Sequence, residues 1–170
     1  MDNLRIREAT ATDIDKLCAL IFEHGPNPWN HLPPAEVTAH LQQIADGSVS
    51  ALLAERGGEL LGFVSYELSR HFARYQPPAR RDQEHAYICE AVTHRAVAGQ
   101  GLGSRLLKQV IAALVEQGVG DIYIDRHEEN AASAGMMRKA GFVEIETYAD
   151  PERRPNGSRR TTVCCLRFDV

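Results

Sequence analysis

The sequence predicts an α/β chain of mixed, α+β character, in which a central mixed sheet of about seven strands is flanked by about four helices. Two observations predict it. Short runs of alternating or β-branched apolar residues are interleaved with stretches whose apolar residues recur three and four apart. The longest helical stretch, from Leu102, joins two strand runs, and a helical crossover makes the strands it joins parallel. With 170 residues and 44% hydrophobic content, one core-forming domain over residues 1–170 is expected.

The elements follow in order. Leu4-Arg5-Ile6-Arg7 alternates as a first strand. Thr12 is a candidate N-cap for a helix carrying Ile14, Leu17, Leu20 and Ile21, which Gly25-Pro26-Asn27-Pro28 stops. Pro33-Pro34 opens a second helix with Val37, Leu41 and Ile44 on one face, ended by Gly47. A hairpin follows, Val49 to Glu55 and Leu60 to Leu68 around Arg56-Gly57-Gly58-Glu59. The polar run from Ser69 to Glu84 is longer than most connections, and reads either as a functional loop or as a disordered one. Ala86 to Thr93 is a strand, the Leu102 helix is closed by Gly118 and Gly120, and Asp121 to Asp125 is the next strand. Asn130 caps a helix over Ala131 to Ala140, where the interior Gly135 suggests close packing. Val143 to Tyr148 and Thr162 to Phe168 form a last hairpin with a polar tip, Asp150 to Arg160.

The chain is organised around Ala98-Gly99-Gln100-Gly101-Leu102-Gly103-Ser104, where a strand turns into a helix. The first amides of a helix have no internal partner, and the dipole there favours an anion. Glycines let a phosphate approach those amides closely. A P-loop is excluded, because no Gly-Lys-Ser/Thr follows. A dinucleotide fingerprint is excluded too, because Gly99, Gly101 and Gly103 give G-x-G-x-G and too little chain remains for two βαβ halves.

Two segments carry a family resemblance. Gln100-Gly101-Leu102-Gly103 is similar to the Arg/Gln-x-x-Gly-x-Gly/Ala cradle of the GNAT acetyltransferases, with Ala98 standing where that family has Arg or Gln. Asn130-x-x-Ser133-x-x-Met136-Met137-x-Lys139-x-Gly141-Phe142 resembles the family's Asn-x-x-Ala-x-x-x-Tyr-x-x-x-Gly-Phe, with Met137 in place of the tyrosine. The resemblance covers nearly the whole chain. It implies a sheet splayed at a cofactor cleft and acetyl-CoA as co-substrate. The backbones of Ala91, Val92 and Thr93 would hold the pantetheine arm. The turn Ala98, Gly99, Gln100, Gly101, Leu102, Gly103 and Ser104 would hold the diphosphate. Asn130 would approach the thiol end, and Met137 would touch the arm.

The implied reaction is aminolysis of a thioester. An alkylammonium has a pKa of about 10 and must lose its proton before it attacks. Glu90, on the strand that would meet the acetyl group, is the candidate base; its other reading is a glutamate paired with an arginine on the sheet face. Alternation puts Glu90, Val92 and His94 on one face and Cys89, Ala91 and Thr93 on the other. An amide near Val92 would supply the oxyanion donor. Met137 cannot give a proton, so Tyr148, Tyr123 or water would protonate the leaving thiolate.

The expected acceptor is the primary amine of a small molecule or peptide, read by residues 22–34, 69–85 and 149–160, with Trp29 and Phe22 as a candidate wall. Ala98 and Met137 favour an alternative, a non-catalytic CoA-binding or sensory module. The formal charge of −4 argues against nucleic acid as a partner. His127-Glu128-Glu129-Asn130-Ala131 lacks the second histidine of H-E-x-x-H, so no metal site is expected. Cys18, Cys89, Cys164 and Cys165 form no C-x-x-C and read as free thiols, with Cys164 and Cys165 on opposite faces of a strand. No basic-then-apolar leader and no membrane-spanning run is present, so a cytoplasmic location is expected. A homodimer through the last hairpin is possible on this reading.

Overall fold

A computed structural model describes residues 3–169, and in them seven strands and four helices. The strands are β1 (Arg5–Glu8), β2 (Ser50–Arg56), β3 (Glu59–Ser69), β4 (His85–Thr93), β5 (Asp121–His127), β6 (Val143–Ala149) and β7 (Arg160–Arg167). The helices are α1 (Ile14–His24), α2 (Pro34–Gln42), α3 (Leu102–Glu116) and α4 (Ala131–Lys139). All strands join one sheet in the order β1-β2-β3-β4-β5-β7-β6. The β4–β5 pair, joined through α3, is parallel, and the other pairs are antiparallel.

Each face of the sheet is covered by helices. Leu102, Leu106, Leu107, Val110, Ile111 and Leu114 of α3 lie on Ala86, Ile88, Ile122 and Ile124. At about 1.5–3 kcal/mol for each fully buried side chain of this size, this stripe anchors the helix whose first turn forms the cradle. On the other face, Leu17, Leu20 and Ile21 of α1 and Val37 and Leu41 of α2 pack on Leu53, Phe63 and Val92. Cys164 belongs to the α3 side, and Cys165 packs with Tyr123 on the opposite side, as period-two alternation requires.

Two local expectations need correction, and one open alternative is resolved. Thr12 does not cap α1. Thr10 instead opens a 3₁₀ turn over Ala11–Asp13 that runs straight into the helix, and Asp13 accepts the Thr10 N–H at 2.8 Å. Gly135 marks no close approach, since nothing lies within 4 Å of where its Cβ would stand. The run from 70 to 84 is an ordered strap. Phe72 and Gln76 are buried, Gln76 Nε2 donates to Asp121 at 3.1 Å, and the Tyr123 hydroxyl donates to Gln76 Oε1 at 2.5 Å. Arg80 and Arg167 close the same network on Asp121 at 2.9 and 3.1 Å.

The feature that positions the site is a gap in the sheet. β4 and β5 pair only through Ala86↔Ile122, Tyr87↔Tyr123 and Ile88↔Ile124, and then diverge. β4 continues to Thr93 and β5 to His127 as the two walls of a wedge.

Candidate active site

The register of β3 on β4 breaks inside the wedge. Tyr66 faces Ile88 and Ser65 faces Glu90, so Cys89 is an extra residue, a β-bulge. The bulge shifts the alternation by one. Before it, Ala86 and Ile88 face α3; after it, Val92 packs on the α1/α2 side. Cys89 and Glu90 are therefore turned to the same side, contrary to strict alternation. Polar atoms of Cys89, His40 and Glu67 lie within 4.8 Å of one another, and His40 Nε2 is 2.9 Å from Ser65 Oγ. The Ser65 hydroxyl also accepts the Glu90 N–H at 3.2 Å.

Glu90 faces a cleft of about 320 Å³ between β4, β5, α4, the α1–α2 connection and the β6–β7 tip. Burial pushes its carboxyl up to about 7, with Asp125 adding to the shift and Arg153 and Arg154 opposing it. The Tyr87 hydroxyl donates to Asp125 Oδ1 at 3.0 Å, and Arg153 reaches Asp125 Oδ2 at 3.1 Å. Burial also drives the Tyr87 phenol and the Cys89 thiol well above their ordinary range. Cys89 therefore keeps its proton and is a poor nucleophile.

Tyr87, Asp125, Arg153 and Arg154 carry no signal of their own in the sequence. The nearest hint is Ile122-Tyr123-Ile124-Asp125, where a tyrosine and an acid share one face of an otherwise apolar strand.

The backbone of β4 supplies donors to the gap. His94 N–H crosses to Leu61 O at 2.8 Å, and donor direction alternates along a strand. Val92, two residues earlier, is thus turned into the ladder with β3. Ala91 and Thr93 present their amides to the wedge, so the amides open to the gap belong to the neighbours of Val92 and not to Val92 itself.

At the foot of the wedge, Gly101 has φ +81° and Gly99 φ +79°, conformations that any other residue adopts only under strain. The first α3 amide with a helical partner is that of Arg105, on Gly101 O at 3.0 Å. The amides of Gly101, Leu102, Gly103 and Ser104 have no hydrogen-bond partner among the described residues. The Gln100 amide is not part of this set, because it donates to Val97 O at 3.3 Å. The Leu102 side chain is core, so only its backbone is available, while Ala98 is exposed beside the turn. The first turn of α3 contains no acidic residue. These unengaged amides, and the open space at Gly99 and Gly101, fit the diphosphate of a coenzyme A thioester.

The other expected residues divide. Asn130 and Met137 line the cleft, and Asn130 Oδ1 caps α4 by accepting the Ser133 N–H at 3.2 Å. Tyr148 does not line the cleft; it packs beside the Phe72 cluster, with the Arg74 guanidinium 5.5 Å from its ring centre. Tyr123 is fully buried and engaged with Gln76, so neither tyrosine is placed to give a proton there. Asn30 to Pro33 and Arg153–Arg154 border the cleft, but the strap from 70 to 84 does not. Trp29 lies tilted against His127 with ring centres 4.7 Å apart, and Phe22 packs against the α1/α2 core.

Comparison with known proteins agrees with this geometry. The model of the acetyltransferase (GNAT) family matches residues 14–142. An L-2,4-diaminobutyric acid acetyltransferase of Methylotuvimicrobium alcaliphilum is 31% identical over 106 residues, 62% of this chain and 56% of that enzyme, so the match spans little more than half of the relative. Arabidopsis thaliana NAA60 in complex with acetyl-CoA superposes with a TM-score of 0.78 at 13% identity, covering 98% of this chain and 99% of that one. The ribosomal-protein-alanine N-acetyltransferase of Brucella melitensis superposes with a TM-score of 0.75 at 21% identity, covering 96% and 99%. At such identities the structural likeness speaks for the fold, and the family match over three quarters of the sequence completes it: the chain belongs to the GNAT acetyltransferase family.

Proposed function

We propose that the protein is an acetyl-CoA-dependent N-acetyltransferase that moves an acetyl group to a primary amine of a small molecule or peptide by direct attack. The observation that carries this reading is Glu90 at the mouth of the wedge, with its carboxyl raised to about 7, where it takes a proton efficiently near neutral pH. Acetyl-CoA, when bound, supplies the activated acetyl thioester. The unengaged amides at the start of α3 hold its diphosphate, and Asn130 and Met137 border its thiol end. Glu90 receives the acceptor's ammonium and removes its proton. The Ala91 and Thr93 amides face the gap as donors for developing negative charge. Cys89, held protonated, supports direct transfer over an acylated cysteine. With Met137 at the tyrosine position and Tyr148 elsewhere, the thiol proton comes from water.

The small-molecule acceptor of the M. alcaliphilum relative agrees with the size of the cleft. The four free thiols suit the reducing cytoplasm. A homodimer along the last hairpin belongs to the same reading, supported by edge strand β6 with Val143 and Ile145 exposed. Among the described residues no helix is long and apolar enough to cross a membrane.

The test is a panel of amines with acetyl-CoA, following free thiol. Amine-dependent thiol release is expected. Tight acetyl-CoA binding without thiol release on any amine makes the chain a sensory module instead.

A further inference from the structure

We infer that the acceptor amine also carries a carboxylate, and that Arg154 is the residue that binds it. This rests on the acetyltransferase reading and names the acceptor class of the same cleft.

The β6–β7 tip delivers two consecutive arginines to the cleft, and the surroundings treat them differently. Arg153 is held by carboxylates: its Nη atoms lie 3.1 and 3.2 Å from Asp125 Oδ2, and Nη1 is 3.3 Å from Asp150. Arg154 is 7% exposed, and among the described residues its side chain makes one hydrogen bond, from Nε to Thr161 Oγ1 at 2.9 Å. The Thr161 hydroxyl in turn donates to Asp150 at 2.7 Å, which fixes the plane of the guanidinium. The nearest carboxylate oxygen, Asp125 Oδ1, is 3.7 Å from Nη2, beyond hydrogen-bond distance, and already accepts the Tyr87 hydroxyl. Among the described residues neither Nη group has an acceptor within hydrogen-bond distance, and neither is a fully buried atom, so this edge of an otherwise buried side chain opens on the cleft.

A guanidinium held in place by packing, with its fork open to a cleft, matches a carboxylate by two parallel hydrogen bonds. Desolvation lowers the Arg154 pKa, as expected for a cation short of partners. The cleft is also polarised. Glu36 and Glu67 line it from α2 and β3, and Arg153 and Arg154 line it from the β6–β7 tip beside Asp125. A molecule bearing an ammonium and a carboxylate presents the first to Glu90 and the second to Arg154. Glu90 and Arg154 line the same cleft of about 320 Å³, so one small molecule can meet both groups.

The experiment measures binding by calorimetry to the CoA-saturated protein. The probes are ω-amino acids from glycine to 6-aminohexanoate, with lysine, each against its own carboxamide. The wild type is expected to bind at least one carboxylate tenfold or more tightly over its amide. Arg154→Gln should remove that preference by weakening the carboxylate alone, with CoA affinity unchanged, and Arg154→Lys should restore part of it. Equal affinity for every carboxylate–amide pair in the wild type overturns the inference without any variant. So does an Arg154→Gln loss that falls equally on both members of a pair. Turnover is scored separately: a carboxylate preference without thiol release leaves Arg154 as the binding residue and defeats only the acetyl-transfer reading.

Discussion

As the proposed base, Glu90 would couple stability to catalysis in this molecule. Its carboxyl ordinarily titrates near 4.5 and is raised to about 7 in the fold, so the folded state binds a proton more tightly than the unfolded chain. The contribution of Glu90 to stability is therefore full below about 4.5 and is lost as pH rises toward 7, where the carboxylate ionises inside the cleft. Catalysis has the opposite slope, because only the ionised form accepts a proton. Wild-type kcat/KM should therefore rise through a limb near pH 7. Glu90→Gln should lower it about 100-fold at neutral pH and leave a residual rate that climbs with the acceptor's own deprotonation toward pH 10. The same variant should be more stable than the wild type at pH 8.5, by roughly 3 kcal/mol, and equal to it near pH 4. A pH-independent loss of activity, with no gain in stability, removes Glu90 from the base role. The residue type and strand position of Glu90 were legible in the sequence, but its side of the sheet was not. A bulge depends on register with β3, a non-local property, and one inserted residue moves Cys89 across to the side of Glu90. Arg153 and Arg154 were hidden for a related reason, since only closure of the last hairpin brings a polar tip under the wedge.

Among the elements, α3 was the most legible, because apolar spacing, glycine chemistry and helix-end electrostatics all bear on one short stretch. The Ser69–Glu84 run was the least legible. Its order comes from Gln76, Arg80 and Arg167 converging on Asp121, contacts between residues 41 to 46 positions apart in the chain, which no local pattern encodes. Helix α3 also offers a test in which folding and binding respond in opposite senses. Its first turn has no acidic residue, although a carboxylate there normally stabilises a helix by about 0.3–1 kcal/mol. Ser104→Glu should therefore leave the melting temperature unchanged or slightly raised. The same charge, set among the amides of Gly101, Leu102 and Gly103, should repel a diphosphate and weaken acetyl-CoA binding at least tenfold. Calorimetry with acetyl-CoA checks the second effect and thermal unfolding the first. Unaltered affinity in a normally folded variant would place the diphosphate elsewhere.

On the scale of the whole molecule, the sheet is two parts meeting at a short seam. β1 to β4 carry α1 and α2 on one side, β5 to β7 continue the sheet beyond the gap, and the β4–β5 ladder ends at Ile88 and Ile124. α3 bridges them, since its buried stripe touches Ala86 and Ile88 on one side of the seam and Ile122 and Ile124 on the other. On the proposed reading, a pantetheine arm lying in the wedge would complete the seam by occupying donors that the diverging strands leave unpaired. Acetyl-CoA at 100 times its Kd should then stabilise the native state by about 2.7 kcal/mol. For a chain of 170 residues this is a rise of roughly 5–10 °C in a single cooperative transition. Hydrogen exchange identifies the donors responsible. Protection should increase at Ala91, Thr93, Gly103 and Ser104, and stay level at Val92, whose amide already belongs to the ladder with β3. Two separate melting transitions would show that the two parts fold independently. A gain at Val92 without one at Ala91 or Thr93 would mean that β4 turns its other edge to the ligand.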